Sequence, residues 1–144
     1  MLVYLKKERA VLRLYITLES DYAIRIVYLL AQENTKIDAK TISEKTGVTF
    51  RFALKILRKL VAQKIVKSYK GTKGGYMLDK DPSKISLKNI IEIIEGEIVL
   101  SRCILGEFPC TKEHNSPCKM KKEFTRISLM VQNELDNLKL SQLI

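Results

Sequence analysis

No aspartate or glutamate occurs between Glu44 and Asp79, in a chain whose formal net charge is +10. A surface charged only for solubility would scatter both signs, so that gap argues against one. Arg51, Lys55, Arg58, Lys59, Lys64, Lys67, Lys70 and Lys73 fill it. Positive charge so concentrated calls for a polyanionic partner, nucleic acid ahead of an anionic membrane. No apolar run reaches the roughly 18 residues that span a bilayer. Charged residues interrupt the first 20 positions, where a secretory leader needs an apolar stretch and a small-residue cleavage site. A cytoplasmic protein with no membrane partner is expected. There are no internal repeats and no low-complexity tracts. At 144 residues, 46% of them hydrophobic, the chain supports one compact domain, or a small domain with an appendage.

Cysteine is absent until Cys103. Then Cys103, Cys110 and Cys118 fall within one short polar segment, where core packing is not expected. An odd, clustered set in a reducing cytosol points to metal or redox chemistry and away from a disulfide frame. No CxxC pair is present, so neither a zinc ribbon nor a dithiol redox enzyme is indicated. An enzyme is not expected. Thiolates are soft ligands suited to zinc or to an iron–sulfur cluster. The single histidine, His114, lies between the second and third cysteines. With them it would complete a tetrahedral zinc site, the rival to a cluster.

Along the chain, residues 1–18 read as an extended arm or short strand. Ser20 is placed as an N-cap, with Asp21 as a first-turn carboxylate favourable to the helix dipole. A first helix is predicted at about 20–33. Asp38 caps a short second helix ending at Gly47, and Thr49 caps a third. Ala53, Ile56, Leu57, Leu60 and Val61 form that helix's buried stripe. IVKSYKGTKGGYMLD reads as two short strands around Gly71, Gly74 and Gly75, a wing-type hairpin. Ser86 caps a fourth helix stopped by Gly96. Met120, Phe124, Ile127, Val131, Leu135 and Leu138 then recur at three- and four-residue steps, predicting a long amphipathic helix suited to dimerisation. The fold class is mainly α with a small β wing: a winged helix-turn-helix over residues 12–80, and a cluster loop with dimerisation helices over 81–144.

In such a fold the third helix enters the major groove. Thr49, Phe50, Arg51 and Lys55 occupy its N-terminal half, with Arg58 and Lys59 further along. Lys70, Thr72 and Lys73 form a wing tip placed against the minor groove or backbone. Double-stranded DNA is the expected partner.

The run SDYAIRIVYLLAQ, then TISEKTGVTFRFALKILRKLVAQKIVKSYKGTKGGYMLDKDPSKISLKNIIEIIEG, then three closely spaced cysteines, resembles a bacterial winged-helix regulator family. That family is typified by the iron–sulfur cluster regulator and the nitric-oxide-sensitive repressor. The resemblance covers about residues 12–140. It is most specific in the wing, where Lys70 stands in place of the usual arginine and so loses the planar fork. The resemblance implies a homodimeric transcription factor, a repressor sensing redox, nitric oxide or iron status. Cys103, Cys110 and Cys118 would hold a 2Fe–2S or 4Fe–4S cluster. In one branch the fourth ligand is a histidine three residues past the last cysteine, a position that is Lys121 here. In the nitric-oxide-sensing branch it is an acidic residue opening the first helix, donated by the other subunit; that position is Asp21. The cysteine gaps, six and seven residues, exceed the family's usual five or so. The alternative is a DNA-binding regulator with structural zinc, or thiol-based sensing, and no cluster.

Overall fold

A computed structural model describes residues 15–106, 110–111 and 117–144. The expectations for residues 1–14 and for His114 lie outside them. The described order is α1 (Leu18–Glu33), α2 (Ala39–Thr46), α3 (Phe50–Ala62), β1 (Val66–Tyr69), β2 (Gly75–Leu78), α4 (Leu87–Glu95) and α5 (Lys119–Asn137), with short 3-10 turns between. This is the mainly helical, small-winged architecture expected.

Local chemistry accounts for most boundaries. Asp38 caps α2 by accepting from the backbone N–H groups of Lys40 and Thr41, and Gly47 ends it at φ 70°. Ser86 and Asn89 form a reciprocal capping box at the start of α4, a pattern that satisfies two otherwise orphaned donors. Gly96, at φ 83°, stops that helix. The first helix departs from expectation. It begins at Leu18, capped by Thr17, because the Ser20 hydroxyl is not left for capping. Ser20 is fully buried and donates to Glu95 Oε1. The same oxygen accepts from the Thr17 amide at 2.8 Å and the Thr17 hydroxyl at 2.9 Å. Thr49 is the N-cap residue of α3, but its side chain makes no capping hydrogen bond.

One core joins both stretches of the chain. Ala23, Ile26, Val27 and Leu30 of α1 meet Ala53, Ile56, Leu57 and Leu60 of α3, and Ile85, Ile90 and Leu140 complete the same cluster. Val61 sits half-buried at its margin. Burying a Leu or Ile side chain of this kind is worth ~1.5–3 kcal/mol, so this interior fixes α3 rigidly beneath whatever it contacts.

The antiparallel hairpin pairs Val66 with Leu78 and Tyr69 with Gly75. Its inner edge is tied to the helical body where Ile37 and Tyr76 exchange backbone hydrogen bonds of 2.9 and 2.8 Å. Gly75 is required there: at φ 149°, an added Cβ would lie 2.8 Å from the Ile37 carbonyl oxygen.

α5 seats on its own chain through a polar face. Ser128 and Gln132 are its buried residues. The Ser128 hydroxyl accepts from the Leu100 amide at 3.0 Å, and Gln132 Nε2 donates to the Ile98 carbonyl at 2.7 Å. Near its end, Asp136 accepts from the Ser86 hydroxyl at 2.8 Å. The apolar stripe runs along the flank of that face and is only partly covered. Phe124, Ile127 and Val131 are each more than a third exposed, as is Leu138 at the C-cap, with Met120 more so and Leu135 half-buried.

Candidate functional site

The outer face of α3 carries Arg51, Lys55, Arg58 and Lys59, at the i, i+4, i+7, i+8 spacing that forms one stripe. Ala53, Ile56, Leu57 and Leu60 anchor the opposite face in the core. Phe50 is half exposed at the start of the helix, beside exposed Thr49. Phe52 stacks edge-on against Tyr22 of α1, with ring centroids 5.9 Å apart. The helix is a rigid rod with one face buried and the other cationic, with an apolar tip.

One feature of this face was not visible in the sequence. Glu19 of α1 binds both helix lysines, Lys59 Nζ to Oε1 at 2.7 Å and Lys55 Nζ to Oε2 at 3.0 Å. The hydrogen bond from Lys59 is the main reason the Glu19 carboxyl sits below the ordinary glutamate range. Burial opposes that shift and Lys55 adds to it. No local pattern announces pairs 36 and 40 residues apart. Among the described residues, Arg51 and Arg58 make no ion pair.

The wing tip, Lys70, Thr72 and Lys73, is exposed. Its turn closes through the Gly74 amide donating to the Gly71 carbonyl at 2.9 Å, with Gly71 at φ 94°. Lys36 braces the tip from the helical body. Its ammonium donates to the Lys73 carbonyl at 3.3 Å and lies 5.0 Å from the Tyr69 ring centroid. Tyr69 also faces Lys67, at 5.6 Å.

The three cysteines line one cavity of about 650 Å³, together with Lys121, Lys122 and Thr125 of α5. Cys118 is the N-cap residue of α5, with no side-chain capping bond. The cavity therefore opens on the positive end of a 19-residue helix dipole, beside two lysines. The Cys103 sulfur lies 3.0 Å from the Ser101 hydroxyl. Among the described residues, no three His, Cys, Asp or Glu side chains converge to hold one metal ion. The thiols share a chamber but do not close on a point. Asp21 stands apart from that chamber, paired with Arg25 one turn along α1 at 2.6 Å. Lys121, the position where one branch of the resembled family carries a histidine ligand, lines the cavity as a cation.

Among the described residues no helix is long and apolar enough to cross a membrane. The Rrf2 family, described as an iron-dependent transcriptional regulator, matches residues 16–144. The HTH-type transcriptional regulator IscR of Klebsiella pneumoniae (strain 342) is 24% identical over 131 residues, spanning 90% of this chain and 78% of its own. The fold is shared with IscR of T. potens, at a TM-score of 0.72 and 20% identity over 90% of this chain and 85% of that one. It is shared equally with CymR of B. subtilis, described as the global cysteine regulator, at a TM-score of 0.73 and 24% identity over 91% and 96%. These likenesses are to transcriptional regulators and not to enzymes. The family match runs from the residues ahead of α1, through the cationic helix, the wing and the thiol chamber, to the last residue, and the chain belongs to the Rrf2 family of transcriptional regulators.

Proposed function

We propose that this protein is a cytoplasmic homodimeric repressor that binds double-stranded DNA through α3 and the wing, and whose DNA affinity answers to an iron–sulfur cluster. Residues 12–80 carry the DNA surface; residues 81–144 carry the thiol chamber and the dimer helix. Arg51 and Phe50 are set for base edges, since arginine forks guanine and an apolar tip suits a thymine methyl. Lys70, Thr72 and Lys73 are set for the phosphate backbone.

The observation that carries the metal reading is the sharing of one cavity by all three cysteines. A single zinc ion needs its ligands ~2.0–2.3 Å from one point, and the zinc alternative would draw its fourth ligand from His114, which lies outside the described residues. A chamber ringed by thiols, with Lys121, Lys122 and the α5 N-terminus beside it, suits a larger anionic group. Cys103, Cys110 and Cys118 would hold the cluster, which would supply one-electron chemistry and an iron open to small molecules. These side chains supply three soft donors and leave one position open. Asp21 of the partner subunit is the fourth ligand in this reading; a carboxylate is a harder and weaker ligand than thiolate. Met120, Phe124, Ile127, Val131, Leu135 and Leu138 form the seam between copies. Because Cys118 opens the helix that carries that seam, a change in the chamber moves the distance between the two reading heads. Such a switch works only if the cluster binds one head spacing better than the other.

Anaerobic purification tests this reading. Brown-red protein is expected, with iron and acid-labile sulfide in equal amounts, and it should bind duplex DNA with a steep salt dependence. Asp21→Ala should alter the spectrum or cluster lifetime, and His114→Ala should not. Colourless protein carrying zinc without sulfide overturns the cluster reading and leaves a DNA-binding regulator with structural zinc.

A further inference from the structure

The recognition helix presents four cations in one stripe, yet two of them already hold an anion from the same chain. Glu19 is about one-fifth exposed, whereas Lys55 and Lys59 are 54% and 35% exposed. The carboxylate is therefore the fixed partner, and each lysine reaches back from the DNA-facing surface to one of its two oxygens. The fold does not depend on this link, because α1 and α3 are already joined through Ala23, Ile26, Ala53 and Ile56 in the core. A carboxylate and a phosphate diester are both oxyanions that accept from an ammonium group.

We propose that Glu19 is an internal rival to the DNA backbone, holding Lys55 and Lys59 and so setting how much of the recognition helix's charge a phosphate can claim. This rests on the proposed DNA-binding role of α3. Its consequence is selectivity. Arg51 and Arg58 meet any DNA directly, but the two lysines transfer to phosphate only where the fit brings a phosphate close enough to displace Glu19. Random sequence is thereby denied two of the helix's four cations.

The test is Glu19→Gln, which keeps the side chain's length and removes its charge. Binding of a random-sequence duplex is measured by fluorescence anisotropy across a salt series, with circular dichroism to establish folding. Each phosphate neutralised contributes ~0.9 to the slope of log K against log salt. Release of both lysines should steepen that slope by roughly 1.8, so that the affinity lost between 50 and 200 mM salt grows about tenfold. Adding Lys55→Gln and Lys59→Gln to Glu19→Gln should abolish the gain. The same two lysine changes made beside native Glu19 should leave the random-duplex slope nearly unchanged, because Glu19 already holds both groups; this arm does not need Glu19→Gln to fold, and a slope that falls by roughly 1.8 there overturns the proposal. In a folded Glu19→Gln protein, an unchanged slope or weaker binding overturns the proposal and makes the pair a simple staple between helices. A wild-type protein without salt-dependent duplex binding overturns the DNA reading itself, and this inference with it.

Discussion

Gly74→Ala tests whether the wing is a shaped instrument or a loop that merely carries charge. An added Cβ would lie 2.3 Å from the Tyr69 carbonyl oxygen, 2.9 Å from that of Gly71 and 3.1 Å from the Lys70 carbonyl carbon. All three atoms are backbone, so no side chain can swing away to make room. The turn has to open. That lengthens the 2.9 Å hydrogen bond from the Gly74 amide to the Gly71 carbonyl, at a cost of ~1 kcal/mol. Strain in the displaced backbone adds ~1–3 kcal/mol. The hairpin base should hold, because Tyr76 remains bonded to Ile37 through both backbone groups. A loss of about 2–4 kcal/mol in a chain of this size corresponds to a fall of about 6–12 °C in Tm. The tip carrying Lys70 and Lys73 is displaced with the turn, so the salt slope for duplex binding should flatten by roughly 1–2. Thr72→Ala, at an exposed tip position, is the control and should change stability by less than about 0.5 kcal/mol. Thermal melts and anisotropy on the three proteins decide the matter. A Gly74→Ala protein that matches the wild type in both measurements would refute the steric argument and with it the role of the turn.

Two further outcomes are expected. Ile127→Glu should give a folded protein that runs as a monomer in light-scattering chromatography, because the residue is already 36% exposed in the single chain; a persisting dimer, or a monomeric wild type, counts against the seam. Burial alone would raise the Glu95 carboxyl, but hydrogen bonds from Ser20 and Thr17 outweigh it and hold the carboxyl below the ordinary value of 4.5. A depressed folded-state pKa stabilises fully above the unfolded value and is lost as pH falls through the folded one. Urea midpoints should therefore decline more steeply below about pH 4.5 in the wild type than in Glu95→Gln, and identical profiles would show that the carboxylate contributes nothing to the pH dependence.

The parts of this fold that were legible in the sequence are those whose signals are local. Asp38, Gly47, Ser86 and Gly96 each act within a turn of where they stand, and α2 and α4 have the bounds they predict. The wing was legible because its glycines answer to steric demands of the hairpin. The start of α1 was not, since Thr17 and Ser20 are both plausible caps and the choice is made by Glu95, 75 residues from Ser20. The engagement of Lys55 and Lys59 escaped for the same reason: the absence of acid between Glu44 and Asp79 describes the chain, while Glu19 arrives through space. The stripe on α5 was found by its apolar period. That method is blind to the adjoining seat, where Ser128 and Gln132 do the holding through directed hydrogen bonds. Clustering of the cysteines marked the chamber, but its lysines, and its place over a helix N-terminus, became visible only once the first turn of α5 was located.

The bond between Ser128 and Leu100 works as a fixed datum for the chamber. Cys118 precedes Ser128 by ten residues, which along a helix is ~15 Å. Cys103 follows Leu100 by three residues, a tether of at most ~11 Å when fully drawn out. One sulfur is carried on a rigid rod and the other on a short leash, and both are measured from the same hydroxyl. The leash is further shortened by the 3-10 turn at Arg102–Ile104. A slip of α5 by even one residue past the Leu100 amide would shift Cys118 by ~1.5 Å while leaving Cys103 where it stands, so the width of the chamber is a readout of helix register.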